Sequence, residues 1–246
     1  MFVKTPNLPK SRVTLMAVAR QETAVIDSLN KLGIECLPLE PSEKLDKRIS
    51  FHADMLMHHA GGNRVILSDT VNEKIMSENS FVNFLTIKEM KPDYPDDAII
   101  NCARIGNFML GNKNIADSTV TGLCDSENIR FIHVKQGYTK CNTVVVDENS
   151  IITSDIGISK IAIKEGIEVL TIEAGDILLE GHPTGFIGGT CAFTDDSVIA
   201  FNGNPCTQNF YPMMEKFLSA HDVEIVSLRN GRLRDIGGMI PLKEIG

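Results

Sequence analysis

The sequence predicts an α/β protein in which five strand-helix-strand repeats close into a ring. Two observations lead to this fold class: five β-rich segments that follow helix-like stretches read alike, and a further apolar strand lies between consecutive repeats. The similar segments are IECLPL, VNFLTI, IRFIHV, IEVLTI and VEIVSL, which begin at residues 34, 82, 129, 167 and 223. An ordinary open sheet would rarely show such periodicity, so we interpret residues 1–246 as one repetitive domain.

Each repeat opens with a short apolar strand and continues into a helix with typical boundary residues. Gly33 and Gly166 stand where a left-handed residue ends a helix. Thr70 and Glu73 have the spacing of a capping box, and Pro205 lies near the first turn of the last helix. The repeats start near residues 13, 65, 108, 151 and 198, and helices are predicted over about 21–32, 115–124, 158–165 and 205–220.

A third strand is predicted between the repeats. It covers about 55–59, 99–105, 142–146 and 190–194 in turn. The first repeat lacks this strand, and residues 236–242 can supply it by pairing with residues 13–18. Such pairing would close the ring and leave no exposed sheet edge.

Composition limits the classes of partner and compartment. The chain has 246 residues, 43% of them apolar, enough for a sizeable core. Its 24 basic and 32 acidic residues give a net charge of −8, which disfavours nucleic acid or an anionic membrane surface and fits a small cationic ligand. Residues 1–12 have no signal-peptide core and the sequence has no long apolar run, so a cytoplasmic protein is expected. The six cysteines form no C-x-x-C pair, so neither a metal site nor a disulfide framework is predicted, and no cofactor is expected.

A ring of five ββαβ units resembles the pentein fold of the guanidino-group-modifying enzymes. That superfamily includes arginine and agmatine deiminases, dimethylargininase, amidinotransferases and the non-enzymatic translation factor 6. More narrowly, four segments are similar to a small uncharacterised clostridial-type branch, whose function is not known. These segments are HADM from 52, KQGYTKC from 135, GFIGG from 185 and DIGGMIPL from 235.

The resemblance implies a chemistry, and one departure from it matters. In the enzymes of this superfamily a cysteine thiolate attacks the guanidinium carbon, a histidine carries protons and carboxylates bind the guanidinium nitrogens, all in a central channel. Their nucleophile lies in the final repeat after a Gly-rich turn, whereas residues 237–242 contain no cysteine. Their histidine also comes late in the chain, whereas the His-x-Asp motif at 52–54 lies at the first junction.

Two cysteines are candidate nucleophiles. Cys191 follows a Gly-rich turn at the start of a predicted third strand, where it could project into the channel. Cys141 follows Lys140, whose charge would favour a thiolate and could help to bind a substrate, although adjacent strand residues point to opposite faces. The alternative for both is a small buried residue, and at most one of them needs to act.

Three further residues are candidates for proton transfer and cation binding. His52 and Asp54 are two apart on a segment predicted to be extended, so they would share a face, His52 as acid or base and Asp54 as a cation ligand. Asp235 precedes the closing glycines and would either bind a cation or cap a turn. The loops at His182 and at 136–138 are expected at the mouth of a pocket.

These residues support two hypotheses of function. One is a hydrolase or amidinotransferase acting on a guanidino or related small amine compound, with Cys191 or Cys141 as nucleophile. The other is a binding module that kept the ring and lost the chemistry, as the missing cysteine in the last repeat suggests. A cysteine, a histidine and a carboxylate grouped around a pocket would favour the enzyme. A homodimer is expected only because members of the superfamily often form one.

Overall fold

The computed structural model describes residues 1–71, 74–87 and 89–246, and these residues form the five units that the repeats predict. The first half of the chain contains β1 (Val13–Ala19), α1 (Thr23–Lys31), β2 (Glu35–Leu39), α2 (Ala53–Leu56), β3 (Met57–Gly61), β4 (Arg64–Leu67), α3 (Lys74–Glu78), β5 (Asn83–Thr86), β6 (Ala103–Ile105), β7 (Phe108–Gly111), α4 (Ser118–Ser126) and β8 (Arg130–His133). The second half contains β9 (Thr143–Val145), β10 (Ser150–Thr153), α5 (Ile156–Lys164), β11 (Glu168–Thr171), β12 (Cys191–Asp195), β13 (Val198–Phe201), α6 (Tyr211–Ala220), β14 (Glu224–Ser227) and β15 (Ile240–Glu244).

The described strands form five three-stranded sheets of one design. Their orders are β15-β1-β2, β3-β4-β5, β6-β7-β8, β9-β10-β11 and β12-β13-β14. In each sheet the middle strand pairs antiparallel with the first strand and parallel with the third. The C-terminal strand β15 pairs with β1, as predicted, so the last residues of the chain complete the first unit.

Burial divides each sheet into an inner and an outer side. The first strands β3 and β9 are buried along their whole length, while the third strands β5, β11 and β14 begin and end with exposed residues. First strands of different units contact one another, β6 with β9 and β12 with β15. The first strands therefore form the inner side of the described fold, and the helices and third strands lie outside them.

Several helix boundaries follow the local rules. Gly33 and Gly166 end α1 and α5 with positive φ angles of 77° and 85°, as predicted. Asp155 caps α5 by accepting a hydrogen bond from the backbone N–H of Ile158 at 2.8 Å. The capping box predicted for Thr70 and Glu73 involves Glu73, which lies outside the described residues.

Other boundaries were wrong in ways that matter for the site. The strand predicted from residue 55 begins at 57, after the helical turn α2, and the strand predicted from 99 begins at 103. The predicted strand at 190 likewise follows a 3₁₀ turn over Ile187–Thr190. The last helix begins at Tyr211, after a separate 3₁₀ turn at Pro205–Thr207. The strands β3 and β6 are thus preceded by a turn where the apolar pattern indicated continuous β-structure, while the turn before β12 is the Gly-rich turn expected there, extended by one residue.

The described residues contain neither a disulfide bond nor a helix that could cross a membrane. All six cysteines are free thiols. Among the described residues, no helix combines the length and the hydropathy that a membrane crossing requires.

A test of the fold concerns Gly237, in the turn before β15. Its φ angle is +73°, and an added Cβ would overlap the Cβ of His52. We expect Gly237→Ala to lower the free energy of unfolding by about 3 kcal/mol or more, because left-handed strain of ~1–2 kcal/mol adds to overpacking of ~1–3 kcal/mol. Urea unfolding would measure the loss.

The matched control is Gly33→Ala. Gly33 has a similar φ of +77° but nothing within 4 Å of an added Cβ, so strain alone should cost about 1–2 kcal/mol. Equal losses in the two variants would show that the contact between Gly237 and His52 is not a tight one.

Candidate functional site

A cavity of about 120 Å³ lies where the turns before the inner strands meet, and we call it the thiol cavity. His52, Cys141 and Asp235 line it, and each of these side chains is at most 3% exposed. The rest of its wall is formed by apolar side chains with two polar ones, namely Ile49, Met55, Leu179, Tyr138, Phe186, His182 and Thr184. The structure therefore brings one cysteine, one histidine and one carboxylate predicted from the sequence to a single cavity.

The turns before the inner strands place these side chains. His52 precedes α2 and β3, and its carbonyl accepts hydrogen bonds from the N–H groups of Met55 and Leu56 at 3.0 and 3.2 Å. The segment predicted to be extended is therefore a helical turn, and that expectation was wrong. Asp54 lies within this turn and is also buried. A helical turn keeps both side chains near the start of β3, so they still belong to one site.

The central contact of the site joins Cys141 to Asp54. The thiol of Cys141 donates a hydrogen bond to Oδ2 of Asp54 at 2.9 Å. His52 also contributes a ring nitrogen to this group, and the three ligand atoms lie within 4.8 Å of one another. Oδ1 of Asp54 and Nε2 of His52 are buried and have no hydrogen-bond partner among the described residues. Because buried polar atoms are normally paired, these two atoms leave hydrogen-bonding capacity unused beside the thiol of Cys141.

Asn101 holds this arrangement in place. Its Oδ1 accepts the backbone N–H groups of Lys140 and Cys141 at 2.8 and 3.2 Å. Its Nδ2 lies 3.1 Å from the carbonyl oxygen of Asp54 and 3.1 Å from Sγ of Cys141. Sequence reasoning missed Asn101, although a polar residue within the apolar run IINCA was a usable signal. This fully buried amide links the turns before β3, β6 and β9.

Asp235 is fixed by the last two turns of the fold. Its carboxylate accepts backbone N–H groups from Phe186 at 2.9 Å and from Gly237 at 2.9 Å. Its Oδ1 lies 3.8 Å from Nδ1 of His52. The carbonyl of Gly237 in turn accepts the N–H of Asp54 at 3.1 Å. Asp235 thus caps its own turn, as one of the two sequence interpretations has it, and also lines the thiol cavity; cation binding by this residue stays a prediction.

Burial and like charges set the protonation of the group. Burial, followed by the negative charge of Asp235, raises the pKa of Asp54 to about 7. Burial, followed by the charges of Asp54 and Asp235, raises the pKa of the Cys141 thiol well above its usual value. Burial lowers the pKa of the His52 imidazole. The free protein therefore holds a neutral thiol and a neutral imidazole, and a bound cation would shift the group towards the thiolate.

An aromatic wall stands beside the thiol. Tyr138 lies between Tyr94 and Phe186, with ring centroids 5.2 and 6.3 Å away. Its hydroxyl donates to the buried Asp97 at 2.6 Å. Since that bond occupies the hydroxyl proton, Tyr138 offers the cavity mainly its ring.

The remaining candidates lie apart from this group or at its edge. Cys191 is the first residue of β12 and is buried, and burial raises the pKa of its thiol to about 12. It borders a different cavity, of about 10 Å³. Lys140 does not line the thiol cavity but borders a cavity of about 20 Å³ that Asp54 also reaches. His182 and Tyr138, expected at a pocket mouth, both lie in the wall of the thiol cavity. The structure thus groups Cys141 with His52, Asp54 and Asp235, and leaves Cys191 outside.

The same side chains have the chemistry to hold a metal ion. A thiolate, an imidazole and a carboxylate are ligands that Zn²⁺ accepts, and His52, Asp54 and Cys141 each offer one atom within the 4.8 Å cluster. Sequence spacing could not indicate this set, because two of the residues lie far from the third along the chain.

Solved structures of guanidino-modifying enzymes share this fold. SxtG, an amidinotransferase of saxitoxin biosynthesis from Microseira wollei, matches with a TM-score of 0.62 and 8% identity over 100% of this chain and 98% of that chain. The inosamine-phosphate amidinotransferase of Streptomyces griseus matches with a TM-score of 0.58 and 12% identity over 100% and 97%. The agmatine deiminase of C. jejuni matches with a TM-score of 0.58 and 10% identity over 93% and 90%. The resemblance to the pentein fold is therefore confirmed, while the likeness to a clostridial-type branch stays a prediction.

Sequence comparison gives a family without an assigned activity. No curated protein has a significantly similar sequence. The model of a family of unknown function, DUF6873, matches residues 17–240, which is most of the chain. The chain has the pentein fold and belongs to the family of unknown function DUF6873.

Proposed function

We propose that this protein is a cysteine-dependent enzyme that modifies a guanidino compound, either as a hydrolase or as an amidinotransferase. The observation that carries the proposal is the hydrogen bond of 2.9 Å between Cys141 and Asp54, with His52 in the same cluster and a cavity beside them. Such a reaction needs a nucleophile, a proton carrier and a carboxylate around one cavity. The pentein fold of the solved relatives supports this chemical class.

The proposed roles follow from the contacts of each side chain. Asp54 and Asp235 bind the planar cation. Oδ1 of Asp54 has no hydrogen-bond partner among the described residues. Asp235 accepts two backbone N–H groups, and a carboxylate has lone pairs for further hydrogen bonds. Cys141 attacks the guanidinium carbon. His52, whose Nε2 is unpaired, receives the thiol proton and passes it to the leaving nitrogen.

The reaction balances without a cofactor. As the S–C bond forms, the thiol proton moves to His52. The C–N bond to ammonia or to the substituent amine then breaks, and the leaving nitrogen takes up that proton. A positively charged thiouronium remains on Cys141, and water or a second amine attacks its carbon and breaks the C–S bond. One proton of the attacking group restores the thiol; when water attacks, its second proton goes to the ammonia or amine released in the first step, which leaves as a cation. The cation supplies the charge that lowers the thiol pKa, so attack is coupled to binding.

The position of the nucleophile fits a repetitive fold. We propose that the five units surround one axis as a closed propeller, with the turns before the inner strands equivalent around it. In such a ring a cysteine before β9 reaches the same cavity as the turn before β15, where the sequence has Gly237. The missing cysteine in the last repeat then reflects a different placement of the nucleophile.

The first prediction concerns labelling of Cys141. We expect 2-chloroacetamidine, a cation, to alkylate Cys141 at pH 7 at least about tenfold faster than the neutral 2-chloroacetamide, after correction for their rates with glutathione. The reason is that a cation beside Asp54 and Asp235 gains several kcal/mol of attraction and stabilises the thiolate. Intact-mass kinetics and peptide mapping would measure the rates.

Matched variants locate the effect. Cys141→Ser should abolish selective labelling, Cys191→Ser should leave it unchanged, and Asp54→Asn should reduce the preference for the cation. Dialysis against a chelator before labelling should change nothing; an increase in rate would instead show that a metal ion had covered the thiol. Labelling of Cys191, or no preference for the cation, would contradict the proposed nucleophile and favour a binding module.

The second prediction concerns pH and stability. The pKa of Asp54 rises from its usual 3.8 to about 7 on folding, and the charged groups that affect it are Asp235 and Lys140, with Cys141 hydrogen bonded to it. Because the folded state binds the proton more tightly, Asp54 stabilises the fold below about pH 4, and this contribution is lost as the pH rises through about 7. Asp54→Asn should therefore exceed wild type in free energy of unfolding at pH 8 by on the order of 3 kcal/mol, with no gain at pH 4.

Urea unfolding between pH 4 and 8 would measure this difference. His52, with its lowered pKa, is present in both proteins, so its opposite contribution cancels. The control is Asp125→Asn, which removes an exposed carboxylate on α4 and should change stability little at either pH. A constant offset between Asp54→Asn and wild type across the range would show that Asp54 does not titrate differently in the folded state.

A further inference from the structure

The wall of the thiol cavity selects the part of the ligand beyond its reacting group. The reacting end is polar and acidic, with His52, Cys141 and Asp235. The remaining wall is mostly apolar, with Ile49, Met55, Leu179, Tyr138 and Phe186, and has two polar residues, His182 and Thr184. A ligand that fills the cavity therefore has a cationic head and an apolar body.

The aromatic part of the wall is positioned before any ligand arrives. The hydroxyl of Tyr138 is held by Asp97 at 2.6 Å, and the Phe186 ring lies 6.3 Å from the Tyr138 ring. The backbone N–H of Phe186 is itself bound to Asp235. The apolar wall and the cation-binding carboxylate are thus linked through one residue. Aromatic faces also attract cations and planar groups, which suits the carbons next to a guanidinium.

The wall offers no cation to a ligand carboxylate. Among the described residues that line the thiol cavity there is no lysine and no arginine. Arg48 donates to the carbonyl of Gly181, beside His182, but its guanidinium is paired with Asp46. Arg234, next to Asp235 in sequence, lies 3.6 Å from Glu22. A substrate carboxylate would enter an acidic cavity without a partner, which costs binding free energy.

The size of the cavity limits the apolar body. A volume of about 120 Å³ is somewhat less than the ~150 Å³ apolar cavity that accepts benzene in another protein. It therefore fits a guanidinium group with a few carbon atoms. A long or branched polar tail would extend past His182 and Thr184 into solvent.

We infer that the ligand of the thiol cavity is a guanidine or amidine that carries a short apolar substituent and no carboxylate. This inference rests on the proposed function, because it takes the cation-binding end from that proposal. It adds the substrate class: small alkyl guanidines, in preference to guanidino acids. Residues of the wall, Leu179 and Phe186 above all, then determine specificity without taking part in the reaction.

Two isosteric guanidines test the inference. In 3-guanidinopropionate a carboxylate replaces the terminal isopropyl group of 3-methylbutylguanidine, so the two differ in charge far more than in shape. Binding would be measured by calorimetry on Cys141→Ser, which keeps the cavity and removes the thiol. We expect the alkylguanidine to bind at least about tenfold more tightly, since a carboxylate would meet Asp235 and an apolar wall.

A charge placed on the wall should change this preference. Leu179 is half-buried and lines the cavity, whereas its neighbour Leu178 is 40% exposed and does not. In the Cys141→Ser background, Leu179→Lys should shift the ratio of the two dissociation constants at least about tenfold towards the carboxylate, and Leu178→Lys should leave it unchanged.

The outcomes separate the inference from the proposed function. Equal or tighter binding of 3-guanidinopropionate, together with selective amidine labelling of Cys141 in the wild type, would overturn the inference and leave the enzyme proposal standing. Failure of both guanidines to bind, without selective labelling, would overturn both. A shift caused equally by Leu178→Lys and Leu179→Lys would also overturn the inference, because it would reflect surface charge and not the cavity wall.

Discussion

The site depends on two buried carboxylates close to one thiol: Asp235 lines the thiol cavity, and Asp54 accepts the hydrogen bond of Cys141 and borders the smaller cavity that Lys140 also lines. Asp54 and Asp235 are 3% and 1% exposed, and burial of an unbalanced carboxylate is costly. The protein offsets the cost at Asp235 with two backbone N–H groups, and at Asp54 by raising its pKa and sharing the proton of Cys141. Among the described residues, no lysine or arginine lies beside Asp235 in the wall of the thiol cavity, so the negative charge that makes the empty site costly is also the charge that would attract a cation.

Every unit of the fold contributes to holding this arrangement. The turns before β3, β6, β9 and β15 supply Asp54, Asn101, Cys141 and Asp235, and the turn before β12 accepts hydrogen bonds from residues 236 and 238 through the carbonyl of Gly189. The pairing of β15 with β1 fixes the last of these turns in space. The site is therefore a property of the completed set of repeats, which explains how residues more than 180 positions apart, such as His52 and Asp235, come within 3.8 Å.

The sequence predicted the repeats well because their signals are local. Apolar periodicity marks strands, and Gly33 and Gly166 mark helix ends through their own backbone conformation. The turns before β3 and β6 were missed because their residues are as apolar as a strand, and the turn over 53–56 is closed by backbone hydrogen bonds that composition does not record. His52, Asp54, Cys141 and Asp235 were identified as candidates by residue type and position. The choice of Cys141 over Cys191 as candidate nucleophile requires the three-dimensional structure. Both thiols are buried at inner strands, and only Cys141 donates a hydrogen bond to Asp54.

The geometry also explains why a thiol that is inert in the free protein suits the proposed reaction. A thiolate formed in advance would need a fixed cation nearby, and that cation would repel a guanidinium. Here burial and the two carboxylates raise the pKa of Cys141, and in the proposed reaction the charge that favours its ionisation arrives with the substrate. In the proposed reaction a neutral electrophile would meet a thiol, while a planar cation bound by Asp54 and Asp235 would meet a thiolate. In the proposed reaction, selectivity and activation thus have the same physical origin, the negative charge of Asp54 and Asp235 beside the thiol.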